Sequence, residues 1–214
     1  MPKKDKVETG FRRAGSRSQP DRITPGGACM DTYPTGDPLE SSRFVRYITK
    51  MKGGRRTTPL LAPPSLDVFI SWLGAFLGIG TVTVLSLVYK MPLLVASFGA
   101  SAVLIYGVPD VPLAQPRNVI GGHFFSAVTA VIVYAVFGSN WWSIALAVAL
   151  SIALMLVTNT AHPPGGATAL VGVLSKAPPS FILTPVTAGA VILVAVGLLT
   201  NNLSPNRHYP RYWI

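Results

Sequence analysis

The sequence predicts an all-α protein: a polytopic membrane helical bundle made of two three-segment pseudo-repeats, each with a short broken helix. Three observations predict it. Half of the 214 residues are hydrophobic, only 12% are charged, and the mean hydropathy is +0.45. The charges are badly mixed: residues 1–65 hold thirteen of the eighteen Lys and Arg and six of the eight acids. The runs between Asp67, Lys90, Asp110, Arg117, Lys176, Arg207 and Arg211 match what a helix needs to cross about 30 Å of hydrocarbon. Third, Gly99-Ala100-Ser101-Ala102-Val103 is echoed 67 residues later by Gly166-Ala167-Thr168-Ala169-Leu170. The same shift lays Pro112 on Pro179 and Gly122 on Gly189.

Residues 1–65 read as a disordered basic tail, too poor in core-building side chains to fold alone. Within it, Phe44, Tyr47, Ile48 and Met51 share one helical face, so residues 41–52 suit a short helix on the membrane surface or an irregular linker. Basic residues before the first span mark the side that is not translocated. Those termini are therefore expected to be cytoplasmic, or on the stroma or matrix side in an organelle; plasma membrane and plastid envelope are not distinguished. The basic tail can also attract anionic lipids, at about 1 kcal/mol per basic residue near the surface. Nothing in it resembles a nucleic-acid module. The single cysteine, Cys29, excludes an intrachain disulfide and a multi-cysteine metal site.

Six apolar segments follow. Residues 66–89 are long enough to span with some tilt. Residues 92–108 form a shorter segment with Ser97, Gly99 and Ser101 at its middle. A proline-rich connector leads to residues 118–137, where Gly121, Gly122 and His123 stand near the start. Trp141 and Trp142 open residues 141–158 at what should be an interface. Residues 164–175 are too short to cross alone, and residues 182–201 form the last segment before a basic, aromatic tail, 204–214. With the extended residues before each short helix counted in, each repeat crosses three times and the halves are inverted. With the short helices re-entrant, four spans remain and the halves are parallel.

The most unusual chemistry lies in Asn159-Thr160-Ala161-His162-Pro163-Pro164-Gly165-Gly166-Ala167-Thr168. Consecutive prolines stop a helix arriving from the N-terminal side, and Pro164 can open the next one, where its missing N–H costs nothing. A broken helix at membrane depth is tolerated where it lines a buried or wet cavity. The amides that follow, at Gly165 and Gly166, carry the positive end of a helix dipole that attracts anions. Gly99 would likewise let a solute approach the backbone. Ser97, Ser101 and Thr168 supply hydroxyls, which both donate and accept. Close helix packing by small residues explains the same composition.

His162 and His123 are the ionisable side chains expected at depth, where such groups are functional candidates. An imidazole can bind a solute or a co-transported proton, or simply cap a broken backbone. Asn159 and Asn118 are candidates for satisfying the exposed backbone. Arg117, with Asn118, stands where it can draw anions to a mouth or anchor at headgroups.

By these residues the sequence resembles the integral membrane HPP family, named for its His-Pro-Pro motif. The resemblance covers roughly residues 66–203. It rests on His162-Pro163-Pro164-Gly165-Gly166-Ala167, on Ser97-Phe98-Gly99-Ala100-Ser101, and on Gln115-Pro116-Arg117-Asn118 followed by Gly121-Gly122-His123. It implies a small multi-span protein, and the plastid members are associated with nitrite transport.

The expectation is a membrane transporter or channel for a small inorganic anion, with nitrite the best guess from the resemblance. The solute is expected between the opposed amino ends of the two short helices, near the membrane midplane. Its contacts are His162, Pro164, Gly165, Gly166, Thr168, Ser97, Gly99, Ser101, His123 and Asn159, with Arg117 and Asn118 at the mouth. No metal site, cofactor or enzymatic activity is expected. No carboxylate lies inside a span, and two histidines without a carboxylate or cysteine make a poor metal site. The alternative is a structural or scaffolding membrane protein. Whether copies associate is left open by the sequence.

Overall fold

The computed structural model describes residues 63–88 and 95–213. Residues 1–62 of the N-terminal tail, with the 41–52 segment and Cys29, and Lys90 and the start of the second segment lie outside the described residues, and Ser65, the last residue of that tail, already begins a helix. Among those described, every regular element is helical. They are α1 (Ser65–Val88), α2 (Ser97–Ala102), α3 (Pro116–Phe137), α4 (Trp141–Val157), α5 (Pro163–Leu174) and α6 (Ala188–Asn201). By length and composition α1, α3 and the run Pro179–Asn201 are able to cross a membrane, whereas Ser97–Gly107, α4 and α5 are shorter apolar helices.

Each boundary has a local cause. Proline opens α3 and α5 at the first helical position, and α5 carries both prolines in its first turn. The sequence placed that start one residue later, at Pro164. Asn140 and Ser143 form a capping box ahead of α4, and Trp141 and Trp142 project outward there. Both α4 and α5 stop in the same way. Thr160 N–H donates to Met155 O (2.9 Å) and Ala177 N–H to Gly172 O (2.9 Å), with Asn159 (φ 53°) and Lys176 (φ 55°) in the left-handed conformation between. This is the paired closure that usually recruits glycine.

Two segments depart from the sequence expectation. The helix begun by α2 widens into a π-type turn over Val103–Gly107. The last segment is not one regular helix from residue 182. A tight turn at Pro179–Ile182 and a wide one at Leu183–Thr187 precede α6, with Thr184 extended (φ −132°, ψ 117°). Pro185 has no N–H to donate and crowds the preceding turn, so the regular ladder starts after it.

Two groups of helices make the bundle. α1 packs on α6, while α3, α4 and α5 pack on one another, and the 97–107 helix touches α1, α5 and α6. One apolar core gathers Val82, Phe98, Ile105, Tyr106, Val186 and Leu193, and a smaller one lies between α3, α4 and α5 around Ala130, Ala147 and Val173. Close approach is bought with glycine: a Cβ at Gly74 would stand 2.7 Å from the Tyr106 ring and 2.8 Å from Thr200 Oγ1.

Polarity runs opposite to that of a water-soluble protein. Trp72, Phe76, Leu87, Val136, Val157 and Leu199 face outward, while Ser97, Ser101, Gln115, His123, Ser126, His162, Thr168 and Asn201 are buried. In hydrocarbon an apolar exterior costs nothing, whereas each inward polar group must find a partner. Among the described residues no buried side-chain polar atom lacks one.

Arg207 ties one end of the bundle together. Its guanidinium donates to Tyr106 O (2.8 Å), Asp67 O (2.8 Å), Ser71 Oγ (2.8 Å) and Asn201 Oδ1 (3.2 Å), while Ser204 Oγ donates to Asp67 Oδ1 (2.6 Å). Tyr209 OH donates to Ala114 O (2.9 Å) and Arg211 N–H to Gln115 Oε1 (2.8 Å). The start of α1, the end of α6 and the 109–117 connector therefore share one end of the bundle.

Candidate functional site

The polar centre is assembled from three helices that are far apart in sequence. α2 supplies Ser97 and Ser101 one turn apart, α3 supplies His123, and α5 supplies Thr168 from its second turn and His162 from the position before its first. All five are buried.

Their contacts form one chain. Ser97 and Thr168 share a hydroxyl hydrogen bond at 2.8 Å, and Thr168 Oγ1 lies 2.8 Å from His123 Nδ1. His123 Nε2 and His162 Nε2 both meet Ser101 Oγ, at 2.7 and 2.9 Å. His162 Nδ1 lies 2.8 Å from Leu113 O. The imidazole rings are 4.9 Å apart between centroids, and the Phe98 ring meets His123 edge-on at 5.3 Å.

One end of this chain fixes the rest. A carbonyl only accepts, so His162 Nδ1 carries the proton that reaches Leu113 O. In the neutral ring Nε2 is then an acceptor, and it takes the Ser101 hydroxyl proton. Ser101 Oγ in turn accepts from His123 Nε2–H. His123 Nδ1 accepts from Thr168, which accepts from Ser97. The neutral histidines hold opposite tautomers, assigned by the partners they face.

The glycines sort into two uses. A Cβ at Gly122 would lie 2.5 Å from His162 Cβ and 2.9 Å from Thr160 O; one at Gly165 would lie 2.8 Å from Ser126 Oγ and 2.9 Å from Gly122 O. These two residues let α3 and α5 touch along the backbone. Gly166 is different, because it borders open space.

That space is a cavity of about 420 Å³, open to the outside between α4 and the start of α5, lined by His162, Pro163, Gly166, Val148, Met155 and the exposed Ile152 among others. A second cavity of about 390 Å³ adjoins it through Leu113, Met155, Leu156 and Ala161, and is bordered by Arg117, Asn118, Asn159 and Tyr212. The pair leads from an exposed arginine to a buried histidine. Arg117 donates to Thr158 O (3.2 Å) and Asn118 to Ala161 O (2.9 Å), so both also hold the extended link before His162.

Several expectations are corrected here. The described void is not between the amino ends of the two short helices: Ser97 and Thr168 meet directly there, and the pocket beside His162 lies on the α4 side of α5. Along α3 the site lies toward the start of the helix. Gly122, against His162, is about 9 Å from the start of a helix about 33 Å long. Gly99 faces outward with nothing within 4 Å of a Cβ built on it, because α2 turns Ser97 and Ser101 inward instead. Asn159 borders the outer cavity but closes α4 with its backbone. Pro164 and Gly165 are packed inside the helix contact. Gln115, quoted above for the resemblance but given no site role, is fully buried and donates to Pro109 O (2.8 Å) and Val111 O (3.1 Å). A glutamine between two apolar prolyl stretches was the available signal. Among the described residues no three His, Cys, Asp or Glu side chains gather as a metal site.

An apolar exterior around a hydrogen-bonded polar centre defines an integral membrane protein of the helical-bundle class. The chain belongs to the HPP family: residues 61–210 match the HPP transmembrane region. It is similar to two proteins of Dictyostelium discoideum named as transmembrane proteins. One is 40% identical over 185 residues, covering 79% of this chain and 64% of the relative. The other is 38% identical over 184 residues, covering 79% and 58%. The chain thus spans less than two thirds of either relative's length. No solved structure matches it.

Proposed function

We propose that the protein is a carrier or channel for a small inorganic anion, with nitrite the first candidate. The observation that carries this reading is the pair of adjoining cavities running from Arg117 to His162. Arg117 supplies attraction at the outer end, and the first turn of α5 supplies the positive end of a helix dipole at the inner one. Weak coordination without a buried lysine or guanidinium beside the solute suits transport, since a solute held tightly is slow to leave. Nitrite itself comes from the family resemblance.

Two pseudo-repeats belong to this reading, and reciprocal packing supports them. The first helix of each half lies on the third helix of the other: α1 on α6, and α4 on α3. Gly122 packs on Gly165, and at the 67-residue shift Gly189 packs on Phe98. Termini on the cytoplasmic, stroma or matrix side, a lipid surface and a small anion as partners, and the absence of enzymatic activity complete it.

A structural role without transport is the second reading, favoured by the complete internal hydrogen bonding of the five-residue cluster. Proteoliposome uptake of nitrite, nitrate, formate and chloride separates them. Transport predicts uptake of at least one anion above empty liposomes, reduced in His162→Gln and Arg117→Gln. A folded protein that moves none of the four contradicts it.

A further inference from the structure

We propose that the His123–His162 pair binds one proton together with each anion, making the protein an electroneutral proton–anion cotransporter. This rests on the transport reading above and adds the coupling ion. The argument is one of hydrogen-bond capacity. The neutral chain is complete, from Ser97 through Thr168, His123, Ser101 and His162 to the Leu113 carbonyl. The same atoms also accommodate one proton more.

When His162 Nε2 is protonated, it donates to Ser101 Oγ at the existing 2.9 Å. Ser101 then needs a new acceptor for its own hydroxyl proton, and Ser97 O already lies 3.3 Å from Oγ. Ser101 Oγ has two lone pairs, so it takes both imidazole donors at once. Thr168 repeats the arrangement beside His123, with Pro164 O 3.4 Å from its hydroxyl. Each imidazole thus faces a hydroxyl that can turn from donor to acceptor by rotating onto a backbone carbonyl. The added proton finds its hydrogen-bond partners already in place. A nitrogen–hydrogen bond forms at Nε2, an oxygen–hydrogen bond of a hydrated proton breaks, and the reverse occurs on release.

The pair takes one proton, not two, because charged rings 4.9 Å apart repel across a poorly screened interior. His162 is the ring that holds it, since His162 borders the cavity and His123 does not. A charge at this depth is costly without a counterion. The anion in the cavity is that counterion, and each therefore raises the occupancy of the other. Among the described residues Tyr212 borders the outer cavity, and the other titratable or charged groups on the surrounding elements are held elsewhere. Arg117 binds Thr158 O, Tyr106 OH binds Leu193 O, Tyr209 OH binds Ala114 O, and Arg211 pairs with Asp110. Tyr134 lies three turns further along α3 than His123, and Lys176 follows the far end of α5.

Two measurements test the coupling. In proteoliposomes with the voltage clamped at zero, nitrate or chloride is the better probe, because their strong conjugate acids do not cross lipid unaided. An inside-alkaline gradient of about one pH unit should drive about tenfold accumulation for one proton per anion. A trapped pH dye should record the matching proton entry, and Ser101→Ala should lose the accumulation while Ser101→Thr, which keeps the hydroxyl, retains it. Nitrogen NMR of histidine-labelled wild-type protein provides the second measurement, which needs no variant to fold. It should show the Nδ1–H tautomer at His162 and the Nε2–H tautomer at His123, with His162 doubly protonated when anion is bound. Anion uptake that follows voltage and ignores the pH gradient overturns the coupling and leaves transport standing. So does anion binding with His162 still neutral. No uptake of any anion overturns the transport reading, and the coupling with it.

Discussion

Replacing glycines one at a time separates packing from solute contact, and the outcomes differ in sign. At Gly122 an added methyl would sit 2.5 Å from His162 Cβ, 2.9 Å from Thr160 O and 3.3 Å from Met155 Sδ. Ordinary carbon contacts begin near 3.5 Å, so the link before α5 must move by about 1 Å. Overpacking of that size costs about 1–3 kcal/mol. Gly165→Ala meets Ser126 Oγ at 2.8 Å and Gly122 O at 2.9 Å and belongs to the same class. Gly99→Ala meets nothing within 4 Å, and alanine in a helix is favoured over glycine by about 0.5–1 kcal/mol. Unfolding midpoints in mixtures of SDS and mild detergent should therefore fall for Gly122→Ala and Gly165→Ala and hold or rise for Gly99→Ala. Wild-type stability in Gly122→Ala, or a loss in Gly99→Ala as large as the other two, would refute the packing argument.

Further expectations concern the ends of the bundle. Arg207→Gln should destabilise by about 3 kcal/mol in the same assay, since the Arg207–Asp67 pair is largely buried and its loss leaves an uncompensated acid. Arg211→Gln, at an exposed pair with Asp110, should cost under about 1 kcal/mol. Asn159→Gly should keep both stability and transport, whereas Asn159→Val should lose about 1–2 kcal/mol from the left-handed strain. Loss of transport in a stable Asn159→Gly protein would return the asparagine side chain to the solute path.

Much of this was legible in the sequence because membrane burial leaves a plain record. Apolar runs broken by a few charges gave all-helical character and the positions of the segments. Tandem prolines gave the α4–α5 break, since proline changes backbone chemistry wherever it stands. His162, His123, Ser97, Ser101 and Thr168 stand out as polar groups in apolar surroundings, and the fold brings them together. What the sequence hid is direction and register. Gly99 and Ser101 look equivalent in a small-residue run, yet only the helical phase of α2 decides that Ser101 points inward. Asn159 was hidden because a left-handed helix stop normally announces itself with glycine. Arg207 looks like part of a basic tail, and nothing local reveals that its four partners come from α1, the 97–107 helix and α6. The wide turn before α6 had a signal in Pro185, outweighed there by the apolar run around it.

The account depends most on the cavity beside His162 being the route of the anion. Gly166→Leu places a large side chain into that cavity from a position whose nearest outside atom to an added Cβ is Val148 Cγ1 at 3.9 Å, so the helix itself is undisturbed. Initial uptake rates in proteoliposomes, for wild type and for a Gly166→Leu protein of matched stability, measure the claim directly. Uptake should fall at least tenfold on plugging. Equal rates in the two proteins would contradict it.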